Sequence, residues 1–192
     1  MVVIGNALEF YDFTVYTVFA VMIGHTFFPA QSANSQLMLS VAVFGVGFVF
    51  RPVGALVIGA YADRVGRKPA MTLTILLMAA GTAILALAPG YDVIGIAAPA
   101  LVVFARLLQG ISAGGEMGPV TAYLLESASI GQKGLFTSYQ LATQGAAAVL
   151  GGLVGYVLSI SLSAEALQSW GWRLPFLFGL LIHSSACSSA AV

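Results

Sequence analysis

This 192-residue sequence has few charged residues: Asp, Glu, Lys and Arg make up 7% of the chain, and the formal net charge is zero. Soluble globular chains have about a quarter of their residues charged, so a soluble domain is not expected. The broad basic surface that nucleic-acid binding requires is missing as well. A single cysteine, Cys187, excludes a disulfide framework and a cysteine-based zinc site, and no metal or other cofactor is predicted.

Hydrophobic residues make up 59% of the chain and occur in long runs. Because about 20 apolar residues cross a bilayer as one helix, the runs and the turn signals between them predict an all-α integral membrane protein. The first run follows no basic residue and contains two acids, so it is interpreted as a retained span and not as a signal peptide. The predicted spans are 5–28, 37–62, 70–88, 96–126, 134–160 and an incomplete sixth at 172–183.

Basic residues between the spans predict the orientation. Arg64, Arg67 and Lys68 lie between the second and third spans, and Lys133 lies between the fourth and fifth, whereas the opposite side has only Arg173. Loops rich in Lys and Arg stay in the cytoplasm. The N-terminus and the loop between spans two and three are therefore predicted to be cytoplasmic, in a plasma (inner) membrane.

Five charged residues fall inside the predicted spans: Glu9, Asp12, Arg51, Arg106 and Glu116. Each such charge costs at least about 2.5 to 3.5 kcal/mol at the centre of a span, so these side chains are expected to face a cavity or one another. Arginine does not deprotonate in proteins, which makes Arg51 and Arg106 counter-ions or anion binders.

The first span places Asn6, Glu9, Asp12 and Tyr16 on one polar stripe. Asp12 is too deep and too short to reach the interface, so it is predicted to face a water-filled path and to exchange protons there. For Glu9 two interpretations stay open, a proton-exchanging group or a side chain hydrated at the interface.

The fourth span carries a second polar stripe with Arg106, Gln109 and Glu116. Glycines 110, 114 and 118 follow at four-residue spacing, which predicts close approach of a neighbouring helix. Ser112 also lies in a G-x-S-x-G pattern, which raises an intramembrane serine hydrolase as an alternative. That motif needs a strand-to-helix turn, and here it falls within a span, so no catalytic residue and no enzyme are predicted.

The loop GAYADRVGRK at 59–68 is the most specific motif, and it resembles the signature loop of the major facilitator superfamily. Gly66 permits a tight turn and Gly59 permits close packing. Asp63 can accept bonds from a helix N-terminus or from the neighbouring bases. The resemblance implies a cytoplasmic gate made of Gly59, Asp63, Arg64, Gly66, Arg67 and Lys68.

Further motifs narrow the resemblance. They are GNALEFYDF at 5–13, RP at 51–52, RLLQG at 106–110 with AGGEMGPVTAYLLE after it, and WGWRLPFLFGLL at 170–181. Together they resemble the metabolite:proton symporter family, and the match extends over 4–182. Its members carry proline and betaines, dicarboxylates, tricarboxylates or shikimate together with protons.

The resemblance implies the N-terminal six-helix half of a twelve-helix transporter, built as a 3+3 inverted repeat. Residues 1–183 are then the helical half, with its sixth helix truncated, and 184–192 form a Ser/Ala-rich tail unlike the family. A fragment that lacks its C-terminal six-helix half is the resulting expectation. A non-transporting membrane subunit or a pseudogene product is the alternative to a transporter.

The roles expected from position and resemblance fall into two groups. Proton coupling is expected of Asp12, Glu9, Glu116 and Arg106. Substrate binding is expected of Arg51, with Tyr11, Tyr16 and Gln140 as orienting groups that face the cavity. The predicted function is symport of a proton and a small organic metabolite, such as a carboxylate or betaine, across the lipid bilayer.

Overall fold

A computed structural model describes the backbone of residues 2–30, 32–129 and 131–190, and the side chains of 5–30, 32–129 and 131–182. These ranges are helical and contain no strand. A 3-10 helix at Gly171–Arg173 precedes the last α-helix. The α-helices are α1 (Val2–Val18), α2 (Ala20–Phe27), α3 (Ala33–Val65), α4 (Arg67–Leu87), α5 (Tyr91–Ile94), α6 (Ala97–Ser127), α7 (Lys133–Ser161), α8 (Ala164–Ser169) and α9 (Leu174–Ala190).

Four helices in the described part of the chain, α3, α4, α6 and α7, are long and apolar enough to cross a membrane. They lie at the positions predicted for spans two to five. The first span differs from the predicted single helix, because α1 and α2 meet at a bend of 70°. The bend places α2 against the start of α3, where a Cβ added at Gly24 would lie 2.7 Å from the Gln36 carbonyl oxygen.

Among the residues whose side chains are described, the sixth span is represented by the apolar helix Gly171–Ile182, which is below the length of a full span. Helix α9 nevertheless continues to Ala190, so the helix does not end at the predicted boundary between 183 and 184. The last two residues of the predicted 184–192 tail lie outside the described residues.

The helices pack in the pattern of an inverted repeat. Helix α3 packs chiefly on α6, and α1 packs on α7, while α4 contacts both α6 and α9. In an inverted repeat, spans one, two and three correspond to spans four, five and six. The contact between span two (α3) and span four (α6) then corresponds to the contact between span five (α7) and span one (α1). The predicted 3+3 arrangement is therefore present.

Glycines set the close contact between α3 and α6. A Cβ added at Gly114 would lie 2.6 Å from the carbonyl carbon of Arg51, and one at Gly110 would lie 2.9 Å from the Cα of Gly47. A Cβ at Gly118 would meet nothing within 4 Å in the described residues. Two of the three predicted glycines thus admit the neighbouring helix, and Gly114 brings the backbone at Arg51 against α6.

Candidate functional site

The charged side chains of the spans form two groups inside the bundle. We call Asp12, Thr82, Arg106 and Gln109 the deep cluster, and Glu9, Arg51 and Glu116 the Glu9 cluster. Each group draws on α1 and α6, and the third helix is α4 in the deep cluster and α3 in the Glu9 cluster. The two polar stripes predicted on the first and fourth spans therefore face each other.

The deep cluster joins an acid to a base through an amide. Asp12 Oδ2 accepts a 3.0 Å hydrogen bond from Gln109 Nε2 and a second bond from Thr82 Oγ1. Gln109 Oε1 in turn accepts a 2.7 Å bond from Arg106 Nη1. All four side chains are at most 1% exposed. Asp12, expected on a water-filled path, is enclosed by neighbouring helices in this structure.

Arg106 is buried between aromatic rings. Its guanidinium carbon lies 3.6 Å from the ring centroid of Tyr16 and 5.2 Å from that of Phe44. Cation–π contacts of this kind stabilise a desolvated cation by about 2 kcal/mol. Within the described residues, Arg106 Nε has no hydrogen-bond partner. A buried cation with an unused donor is an expensive arrangement in a membrane span.

Small residues make room for the deep cluster. Arg106 and Gln109 are three residues apart on α6 and so share one helix face. A Cβ at Gly81 would lie 2.6 Å from Gln109 Cγ, and a Cβ at Gly179 would lie 3.3 Å from Asp12 Oδ1. Larger residues at these two glycines would push α4 or α9 away from the site.

The Glu9 cluster contains an ion pair between α1 and α3. Arg51 Nη2 donates a 3.0 Å bond to Glu9 Oε1, and the Arg51 guanidinium lies over Phe13 and Phe48 at 4.8 and 4.2 Å from their centroids. Glu9 is fully buried, whereas the Arg51 side chain is 24% exposed. Among the described residues, Glu9 Oε2 and Arg51 Nε have no hydrogen-bond partner. The exposed part of Arg51 is therefore elsewhere on the side chain, because its unpaired Nε is buried.

Glu116 completes this cluster from α6. It is 4% exposed, and a Cβ added at Gly5 would lie 2.5 Å from its Oε1. Glycine at position 5 thus allows the carboxylate to lie directly against α1. Glu116 and Glu9 are close enough to repel each other electrostatically, so this cluster holds two neighbouring acids, of which Glu9 is paired with Arg51.

The predicted substrate-orienting residues Tyr11 and Tyr16 are buried, and Tyr11 also lines an apolar pocket between α1 and α7. Tyr11 donates its hydroxyl hydrogen to Pro175 O at 3.1 Å, and Tyr16 donates to Ser40 O at 2.9 Å. Both are at most 2% exposed, and their hydroxyls connect α1 to α9 and to α3. Gln140 accepts a 3.1 Å bond from Thr121 and is 8% exposed.

The predicted gate loop forms the turn between α3 and α4. Gly66 has φ of +107°, which is accessible to glycine and unfavourable for other residues, so the expected tight turn is present. Arg67 forms an ion pair with Glu126 near the end of α6. A Cβ at Gly59 would meet nothing within 4 Å among the described residues, so the close packing predicted there does not occur within this part of the chain. The exposed charged residues of the loop are Asp63, Arg64 and Lys68.

Two members of the site had no role in the sequence-based prediction. Thr82 and the bridging position of Gln109 emerge only from the packing of α4 and α6 around α1. The spacing of Gln109 from Arg106 is a usable signal, whereas nothing in the sequence around Thr82 distinguishes it from other span residues. Glu126, the partner of Arg67, was likewise not predicted.

Spanning helices in an inverted repeat, with acids and bases buried between them, define a membrane transporter of the major facilitator fold. The XylE xylose transporter from E. coli, in a partially occluded inward-open conformation, superposes with a TM-score of 0.84 at 20% sequence identity. The match covers 99% of this chain and 47% of XylE. At that identity the likeness establishes the fold.

The chain belongs to the family described as "Sugar (and other) transporter", whose profile matches residues 1–188. It is 52% identical over 178 residues to the citrate-proton symporter of Salmonella typhi and 41% identical over 178 residues to the alpha-ketoglutarate permease of Escherichia coli (strain K12). Each match covers 93% of this chain and 41% of the relative. The resemblance to metabolite:proton symporters of the major facilitator superfamily is therefore confirmed.

These findings make the chain an integral membrane transport protein and not an enzyme. The alternative of a hydrolase with Ser112 as nucleophile is wrong. Ser112 is fully buried within α6, and its Oγ donates a 2.7 Å bond to Thr74 O on α4. The hydroxyl joins two helices, and the surrounding glycines serve helix packing.

Proposed function

We propose that this chain forms one half of a proton-coupled symporter for a small organic carboxylate in the plasma membrane. The observation that carries the proposal is the Asp12 carboxylate, fully buried in a spanning helix and linked through Gln109 to Arg106. Such a group is costly in a membrane and suits uptake and release of a proton. The names of the two relatives support a carboxylate as the second cargo.

The two arginines suit different tasks. Arg106 is 1% exposed and already held by Gln109 and Tyr16, so it sets the field around Asp12. Arg51 is partly exposed and has an unused Nε donor. A planar guanidinium binds a carboxylate through two parallel hydrogen bonds, so Arg51 is the proposed anchor for the substrate. Gln140 is kept as an orienting group.

Glu9 provides a route for coupling at Arg51. In the structure, Glu9 occupies one side of the guanidinium, and an arriving carboxylate competes for the same cation. A proton on Glu9 removes its negative charge and leaves Arg51 available to the substrate. Glu116 interacts electrostatically with Glu9, so a proton on either acid also removes the repulsion between the two carboxylates. Proton and anion are thereby proposed to enter together.

A second six-helix half is the proposed partner. In the most apolar stretches of α3 and α7, 17% of the residues are buried, against 44% in α6, so α3 and α7 present more surface than α6 to lipid or to that partner. The N-terminus and the α3–α4 turn are proposed to be cytoplasmic, where the loop of Gly66 and Arg67 acts as a gate between the halves.

The test is citrate uptake into proteoliposomes with an alkaline interior. Two proteins are compared: this chain as it stands, and this chain joined to the part of the Salmonella typhi symporter that lies beyond its match. We expect the joined protein to accumulate labelled citrate and to lose accumulation when a protonophore removes the gradient. Empty vesicles are the control.

Each other outcome of the uptake test decides a different part of the proposal. No gradient-driven uptake of citrate, 2-oxoglutarate or betaine by either protein contradicts the proposed transport function. Uptake of betaine without citrate leaves proton-coupled symport in place and contradicts the carboxylate. Full activity of the chain by itself contradicts the need for a second half.

A further inference from the structure

Gln109 bonds both charged members of the deep cluster. Its Nε2 donates to Asp12 Oδ2 at 3.0 Å and to Thr82 Oγ1 at 3.1 Å, while its Oε1 accepts from Arg106 Nη1 at 2.7 Å. The amide is fully buried. The nitrogen of the amide therefore donates to a carboxylate, and its oxygen accepts from a guanidinium.

The observed orientation of this amide suits an ionised Asp12. A carboxylate oxygen only accepts hydrogen bonds, and a guanidinium only donates them. Turning the Gln109 amide around would set Oε1 against Oδ2 and Nε2 against Nη1, so that two acceptors and two donors face each other. The negative charge on Asp12 thus fixes which end of the amide faces Arg106.

Protonation of Asp12 at Oδ2 turns this oxygen from a hydrogen-bond acceptor into a donor. The new O–H is a donor, and it meets two groups that already donate to Oδ2, the Thr82 hydroxyl and the Gln109 amide nitrogen. If the amide turns, Oε1 accepts the new O–H, and Arg106 Nη1 loses its acceptor. No covalent bond changes apart from the O–H formed when the proton binds.

We infer that Gln109 is the positioning residue that transmits the protonation state of Asp12 to Arg106. The inference rests on the proposed function, because it needs Asp12 to exchange protons. Charged and titratable residues with electrostatic contact to Asp12 include Arg106 from α6 and Tyr11 from its own helix. Thr82 from α4 and Gly179 from α9 also lie against Asp12, and neither carries a charge. Arg106, which has an unused Nε, then moves between two sets of contacts as the proton comes and goes.

The test separates coupling from transport in the joined protein described above. Citrate accumulation driven by a pH gradient is compared with exchange of labelled for unlabelled citrate at equal pH on both sides, which needs no net proton movement. For Gln109→Leu we expect accumulation to fall by about tenfold or more, the equivalent of one hydrogen bond to a charged group, with exchange within about twofold of the parent. Gln109→Glu, which keeps an acceptor for Arg106 and loses the donor to Asp12, is expected to behave in the same way.

A matched control is Gln144→Leu. Gln144 also sends an amide bond to α1, from Nε2 to Asn6 Oδ1 at 2.6 Å, but it has no bond to Asp12 or Arg106. We expect its ratio of accumulation to exchange to equal that of the parent. If Gln109→Leu does not reach the membrane, the same two measurements are made on Gln109→Glu and on the isosteric Gln109→Met.

The outcomes distinguish this inference from the proposed function. If the parent protein shows no gradient-driven uptake, the proposed function fails, and the role of Gln109 fails with it. If the parent accumulates citrate and every Gln109 variant does so with the same pH profile, only the role of Gln109 is overturned. A parallel loss of accumulation and exchange at normal protein levels shows that Gln109 is needed for structure alone, which also overturns the inference.

Discussion

Glu9 and Arg51 are 42 residues apart in sequence and lie on different spans, yet a 3.0 Å hydrogen bond joins Glu9 Oε1 to Arg51 Nη2. The acid is fully buried, whereas the base is 24% exposed. The coupling proposed at the Glu9 cluster rests on this difference in exposure.

Replacing Glu9 by glutamine should reduce the pH dependence of citrate binding. The variant mimics a protonated Glu9, so Arg51 is available at every pH. We expect the KM for citrate at pH 8 to fall by about tenfold towards its value at pH 6, since a bond to a charged group contributes about 1.5 to 3 kcal/mol. Initial uptake rates at both pH values measure it. Glu165→Gln, a change at an exposed acid on α8, is the control, and an unchanged KM at pH 8 in Glu9→Gln contradicts the prediction.

Arg51 should not be replaceable by lysine without loss. Lysine keeps the charge but lacks the flat fork that binds a carboxylate through two bonds and stacks near Phe13 and Phe48. We expect Arg51→Lys to raise the KM for citrate by about tenfold and Arg51→Gln to abolish uptake, as measured by concentration series of labelled citrate. The exposed Lys133→Gln serves as the control. A parent-like KM in Arg51→Lys would show that charge alone is sufficient.

Gly114→Ala should destabilise the bundle. The added Cβ would lie 2.6 Å from the carbonyl carbon of Arg51, so α3 and α6 must move apart, at a cost of about 1 to 3 kcal/mol. Unfolding of the chain by SDS in mixed micelles measures the free energy. The matched variant Gly118→Ala meets nothing within 4 Å in the described residues and is expected to be neutral or stabilising. Equal effects of the two substitutions would contradict the packing described for α3 and α6.

Exchanging the acid and the base of the Arg67–Glu126 ion pair should preserve function. Both side chains are largely exposed, at 40% and 64%, so the pair contributes at most about 1 kcal/mol. We expect Arg67→Glu and Glu126→Arg each to slow citrate uptake by about two- to fivefold and the double swap to restore it, measured as initial rates in a double-mutant cycle. Additive losses in the double variant would show that the two residues act separately.

Hydropathy and the cost of burying a charge can be evaluated from the sequence alone, and they predicted where spans two to five lie. Spans two to five lie where the apolar runs placed them, and Asp12 and Arg106 lie inside the bundle, where Asp12 is enclosed by helices and does not face the expected water-filled path. The 70° bend between α1 and α2 was not predictable, because no proline marks it and it depends on packing against α3. Tertiary contacts likewise decided the positions of Tyr11 and Tyr16.

The composition of the deep cluster shows the same limit. The sequence identified Asp12 because a carboxylate in an apolar span is costly, and this short side chain cannot reach the membrane interface. Thr82 did not, since threonine is common in spans and its hydroxyl usually bonds within its own helix. Only the approach of α4 to α1 shows that this hydroxyl donates to Asp12.

The most direct test of the account is Asp12→Asn in the joined protein, with gradient-driven citrate accumulation and equal-pH exchange measured side by side. Asparagine keeps the shape of Asp12 and an oxygen that can accept from Gln109, but it cannot carry a proton. The account predicts that exchange continues and that accumulation driven by the pH gradient is lost. Accumulation equal to that of the parent protein would contradict the claim that Asp12 couples protons to the substrate.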